Sequence, residues 1–201
     1  MKGSMIIVGF FILGVIAGGM DWIHIDQFGF DISFVALACL MLCVGIGVGN
    51  DLGALKGLRT LHPRLLLLPV VTIVGTLAGC CLIALLMPWR HITDVLAVGS
   101  GFGYYSLSSI FITEYRGAEL GTVALLANIA REIITLLGAP LLARFFGPLA
   151  PISSGGATSM DTTLPIITNV SGKEFVILSI YHGFVVDFSV PFLVTFFCSL
   201  A

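Results

Sequence analysis

The chain has 201 residues, 58% of them apolar and only 10% charged, with a net charge of −2 and 24 glycines. A soluble domain carries about 25% charged residues, so this composition excludes an ordinary soluble globule, a disordered chain and a charge-driven binder of nucleic acid. What remains is an integral membrane protein, and at about 20 residues per crossing the length allows roughly five or six crossings.

The apolar runs follow in chain order. The first, Met5 to Met20, comes after one lysine and ends in Ala17-Gly18-Gly19, a poor cleavage site; it reads as a span rather than a cleaved signal. The second is Ile32 to Gly49, the third Leu65 to Met87 and the fourth Val95 to Thr113. The fifth, Leu120 to Leu142, contains Arg131 and Glu132, and the sixth, Phe175 to Cys198, contains His182 and Asp187. Residues 144–174 between these two are rich in Gly, Ser, Thr and Pro, with Asp161 as their central charge. The expected fold is an all-α polytopic membrane protein, one domain over residues 1–201, with five or six transmembrane helices and a re-entrant or broken helix near 152–168.

Basic residues in short loops mark the cytoplasmic side. Lys56, Arg59 and Arg64 make Asn50 to Arg64 the most basic loop, which places it inside and the loop with Asp21, Asp26 and Asp31 outside. Cys39, Cys43, Cys80, Cys81 and Cys198 all fall in apolar runs, where free cysteine packs as a small hydrophobe. No disulfide framework, metal site or cofactor follows from them.

An ionisable group inside a span costs roughly 2.5–3.5 kcal/mol on insertion scales and is a functional candidate by default. Asn128, Arg131 and Glu132 share one helical face at spacings of three and four. Neighbouring helix positions diverge by about 100°, so Arg131 and Glu132 need separate partners. The stretch Gly155-Gly156-Ala157-Thr158-Ser159-Met160-Asp161-Thr162-Thr163-Leu164-Pro165 combines small polar residues, one acid and a helix-stopping proline. Non-helical backbone at membrane depth is tolerated where it lines a cavity, and broken transporter helices hold substrate there. Gly99, Gly101 and Gly103 weaken the start of the fourth run, and the hydroxyls of Tyr105, Ser106, Ser108 and Ser109 offer a polar path. His182 is a candidate proton carrier. Asp187 needs a partner, with Arg131 as one candidate. Glu114 stands where it can guard an entrance. Ser100 and Ser159 with His182 make a conceivable nucleophile and base, but no nucleophile elbow and no HExxH motif accompanies them, so no enzyme is expected.

Four segments together carry a resemblance. Ser100 to Ser108 with Ile112-Thr113-Glu114, then Ala130-Arg131-Glu132, then Gly156 to Asp161 with Leu164-Pro165, and finally His182-Gly183-Phe184, occur in this order. The chain resembles the lysine exporter LysO family of bacterial inner-membrane proteins over nearly its whole length. The resemblance implies export of L-lysine, and of analogues such as thialysine, across the bacterial inner membrane. It also implies that about three further helices precede this part in full-length members; a small separate membrane protein or a homo-oligomer would supply them here. Lysine has two ammonium groups and one carboxylate. Buried acids suit the former and a half-helix N-terminus the latter. Proton antiport at Glu132 and Asp161 is expected, with Arg131, Asn128, Ser159, Thr158, Tyr105, Ser106, Glu114, His182 and Asp187 as further substrate or proton contacts. The competing expectations are a proton- or sodium-coupled carrier for another cationic or amino-acid solute, and a non-transporting subunit of a larger membrane complex.

Overall fold

A computed structural model describes residues 63–200, preceded by isolated helical positions at 13, 16, 17, 42 and 46. Apart from those positions, the first two apolar runs, the acidic first loop, Cys39 and Cys43, and the basic loop up to His62 lie outside the described residues.

After a 3₁₀ turn, Pro63–Leu67, helix α1 spans Leu68–Leu86. The following elements are α2 (Ile92–Gly99), α3 (Tyr105–Arg116), α4 (Ala118–Phe146), α5 (Leu149–Gly155), a 3₁₀ turn (Gly156–Met160), α6 (Leu164–Ser171) and α7 (Val176–Ser199). Among the described residues, three helical stretches are long and apolar enough to cross a membrane: Pro63–Leu86, Ala118–Phe146 and Lys173–Ser199. At about 1.5 Å per residue the 29-residue α4 is about 43 Å long, ample for a hydrocarbon core of about 30 Å. Phe184, Phe188, Phe192 and Phe196 recur every fourth residue on α7 and are exposed, as suits a face turned to lipid.

The fourth apolar run does not form a span. It divides into α2 and α3, and the chain reverses between them. Arg116 at the end of α3 reaches Asp94 in the first turn of α2, Nη1 to Oδ1 at 3.7 Å. Just outside, Arg90 pairs with Glu119 at the start of α4. These contacts put both ends of the α2–α3 pair at one end of the molecule, so it is a re-entrant hairpin, here hairpin A. Helices of 8 and 12 residues are about 12 and 18 Å long, half a bilayer each.

The broken helix expected near 152–168 is present as a second re-entrant hairpin. Helices α5 and α6 form hairpin B, closed at its base by the Ser171 hydroxyl donating to the Pro148 carbonyl at 2.7 Å. Hairpins A and B lie at the two ends of α4 and therefore point toward each other. Their tips meet: the Ala157 N–H donates to the Phe102 carbonyl at 2.9 Å. Gly156, with φ +61°, permits this approach, since a Cβ there would run into that same carbonyl oxygen. Two small cores reflect the arrangement. Ala97, Ile112, Leu120, Val194 and Cys198 pack within the core cluster that includes the base of hairpin A, while Ile152, Ile167 and Leu178 pack at the base of hairpin B.

Candidate functional site

Where the tips meet, a cavity of about 210 Å³ opens. Hairpin A contributes Gly103, Tyr104, Tyr105 and Ser106, and hairpin B contributes Ala157, Thr158, Met160, Asp161 and Thr162. Glu132 enters from the middle of α4 and Asp187 from the middle of α7. The cavity thus gathers three carboxylates from three separate elements. Asp161 lies within electrostatic reach of both Glu132 and Asp187. Its Oδ1 accepts from the Thr162 N–H and, at 3.4 Å, from the Thr162 hydroxyl. The Thr162 hydroxyl also stands beside Glu132. The ion pairs among the described residues are Arg90–Glu119 and Arg116–Asp94, so no described cation neutralises any of the three acids. The N-terminus of α3, which has no side-chain cap, lines the same cavity through Tyr105 and Ser106. Its free N–H groups carry partial positive charge. The cavity therefore presents acceptors for ammonium groups and donors for a carboxylate within one small volume.

Local sequence explains the positions. The glycines at 99, 101 and 103 end α2, and Asn128 on α4 fixes the turn that follows. Its Oδ1 accepts the Gly103 N–H at 2.8 Å, and its Nδ2 donates to the Ala124 carbonyl at 2.8 Å and to Ser108 at 3.3 Å. Phe102, in the left-handed region at φ +45°, is fully buried there. In hairpin B, Thr158 donates to the Gly155 carbonyl at 2.9 Å and Thr163 to the Thr158 carbonyl at 2.9 Å, so the tip is held by its own hydroxyls.

Arg131 and Glu132 do have separate surroundings. Arg131 Nε donates to the Ser154 carbonyl at 2.9 Å and Nη2 to the Ser153 carbonyl at 3.0 Å, at the C-terminal end of α5. The guanidinium thus sits on the negative end of a half-helix. The expected pairing of Asp187 with Arg131 does not form; the carbonyls of hairpin B take the charge instead. Asn128 and Arg131 line a second cavity of about 480 Å³ between α1, α2 and α4, whose wall is otherwise mostly apolar.

His182 and Asp187 diverge, as their spacing of five predicts. His182 is fully buried: Nδ1 lies 2.9 Å from the Ser159 hydroxyl and Nε2 2.9 Å from the Thr72 hydroxyl. Ser159, also fully buried, donates to the Gly156 carbonyl at 2.7 Å. The pair ties hairpin B to α1 and α7. Glu114 is exposed at the base of hairpin A, away from the acidic cavity. Of the residues singled out in the sequence, the cavity brings together Glu132, Asp161, Asp187, Thr158, Tyr105 and Ser106, and leaves out Arg131, Asn128, Ser159, His182 and Glu114. Sequence reasoning overlooked Thr162 and Tyr104; an acid followed by two threonines at a break was the available signal for the first.

The family model described as "Lysine exporter LysO" matches residues 8–198. The chain is 35% identical over 194 residues to the protein named lysine exporter LysO of Escherichia coli, covering 96% of this chain and 62% of that protein. It is 35% identical over 190 residues to a protein of Haemophilus influenzae provisionally named a lysine exporter, covering 94% of each. No solved structure matches. The match over nearly the whole chain, together with an all-helical membrane architecture, makes the chain a member of the lysine exporter LysO family.

Proposed function

We propose that this chain exports L-lysine, and analogues such as thialysine, across the bacterial inner membrane in exchange for protons. The observation that carries this reading is the cavity between the hairpin tips, where Glu132 and Asp161 stand at membrane depth with no cationic partner among the described residues. Uncompensated acids inside a membrane await a cation or a proton. Lysine supplies two ammonium groups for them and one carboxylate for the α3 N-terminus. The names of the two relatives point to the same solute.

Outward movement of one lysinium against an inside-negative potential costs about 2.3 kcal/mol per 100 mV. Exchange for one inward proton is electroneutral and escapes that cost. In this scheme proton and lysine compete for Glu132 and Asp161, and the two hairpins alternately expose the cavity. The base of hairpin B, with Arg64, Arg144 and Lys173 nearby, faces the cytoplasm by the positive-inside rule.

The test is flux in proteoliposomes with an imposed pH gradient. Lysine efflux that accelerates with an opposing proton gradient, and is lost in Glu132→Gln and Asp161→Asn, is expected. Efflux indifferent to the gradient and intact in both variants would refute the scheme.

A further inference from the structure

The described chain contains one plan twice, running in opposite directions. Hairpin A with α4 is the first copy, and hairpin B with the span ending in α7 is the second. A shift of 55 positions carries Gly117 (φ +88°, ψ 166°), which joins hairpin A to α4, onto Gly172 (φ +109°, ψ 154°), which joins hairpin B to the next span. The same shift carries the buried residues Gly121, Ala124, Asn128, Thr135 and Ala139 of α4 onto Val176, Ser179, Gly183, Val190 and Val194 of α7, which are also buried. Arg116, at the base of hairpin A, maps onto Ser171, at the base of hairpin B. Asn128 packs on the tip of hairpin A, and Gly183 packs closely on Met160 at the tip of hairpin B.

In the acidic cavity the shift pairs Gly103 with Thr158, Ser106 with Asp161 and Glu132 with Asp187, and all six line it. Two half-sites therefore face each other. Asp187 occupies on α7 the place Glu132 holds on α4, and Asp161 is within electrostatic reach of each. We infer that Asp187 is the specificity-determining carboxylate of this cavity, holding the second ammonium group of a dibasic amino acid while Glu132 and Asp161 hold the first. The inference rests on the export reading above and adds the chemical class that the site selects.

The physical basis is the cost of an unmatched acid. Asp187 has no ion-pair partner among the described residues, and its charged neighbour is another acid. A substrate with one ammonium group leaves that position unfilled, and a site built for a polar group discriminates strongly against the analogue lacking it. The asymmetry between the hairpins completes the match: where hairpin B offers the Asp161 carboxylate, hairpin A offers the Ser106 hydroxyl and the α3 N-terminus, which suit the substrate's own carboxylate.

The experiment measures binding of lysine, ornithine and norleucine to the purified full chain by calorimetry; norleucine is lysine without the terminal ammonium. The wild type is expected to prefer lysine to norleucine, and Asp187→Asn to reduce that preference about 10-fold or more, with norleucine binding nearly unchanged. An equal loss for both ligands, or an unchanged preference, overturns the inference and leaves the export reading standing. A wild type that binds no lysine overturns the export reading and this inference with it. Asp187→Glu provides a second readout should the Asn variant fail to fold. It extends the acid by one methylene and is expected to move preference from lysine toward the shorter ornithine; an unchanged lysine-to-ornithine ratio overturns the inference.

Discussion

Arg131 and Glu132 are adjacent in the chain and serve different faces of α4: the guanidinium closes the carbonyl end of α5, and the carboxylate enters the cavity between the hairpin tips. One helix thus anchors hairpin B with one residue and arms the site with the next. This makes Arg131 a structural cation. Arg131→Met, which strands the half-buried carbonyls of Ser153 and Ser154, is expected to cost about 2–4 kcal/mol. Arg131→Lys, which keeps the charge and loses the fork, should cost about half of that. Thermal unfolding in detergent measures both, and equal stability of all three proteins would contradict the assignment.

Gly156 sets the distance between the tips. Gly156→Ala adds a Cβ against the Phe102 carbonyl at a positive φ, and is expected to destabilise by about 2–4 kcal/mol. Ala157→Gly, one residue away, keeps the N–H that donates to Phe102 and should cost less than about 1.5 kcal/mol. A Gly156→Ala protein that melts with the wild type would show that the tips do not touch in this way.

His182 is fully buried with both ring nitrogens engaged, an arrangement that ties hairpin B to α1 and α7. His182→Gln is expected to lower stability by about 1–3 kcal/mol and to leave the pH dependence of lysine flux in the same range as the wild type. A pH profile displaced in that variant would return His182 to the proton path.

Hairpin A brings both its ends to one side, where an uninterrupted fourth span would separate them. Single cysteines at Arg90, Glu119 and Lys173, placed in a background without native cysteines, distinguish the two by labelling with a membrane-impermeant maleimide. Positions 90 and 119 should react from one face and position 173 from the other. Labelling of 90 and 119 from opposite faces would replace the hairpin with a crossing.

Much of this was legible beforehand. Scarce charge pointed to a membrane, and Gly155-Gly156 with Pro165 marked the break that became hairpin B. The helical angle between Arg131 and Glu132 separated their roles. Hairpin A was not legible from hydropathy, because an apolar run looks the same whether the chain continues or returns. Its signal was the pair Asp94 and Arg116 at the two ends of the run, which only a reversal brings side by side. The internal repeat was hidden for a related reason. Its copies share the positions of buried residues and the positive φ of their joining glycines, but few residue types: Asn128 corresponds to Gly183, and Ser106 to Asp161.

The hairpin-plus-span unit has a consequence for descent. A hairpin returns to its starting side and the following helix crosses once, so each unit traverses the membrane an odd number of times. A tandem gene duplication of such a unit cannot insert its second copy in the same orientation; parity turns it over. The inverted architecture then requires no rearrangement after duplication, and divergence at 106 and 161 is enough to turn two identical halves into one asymmetric site.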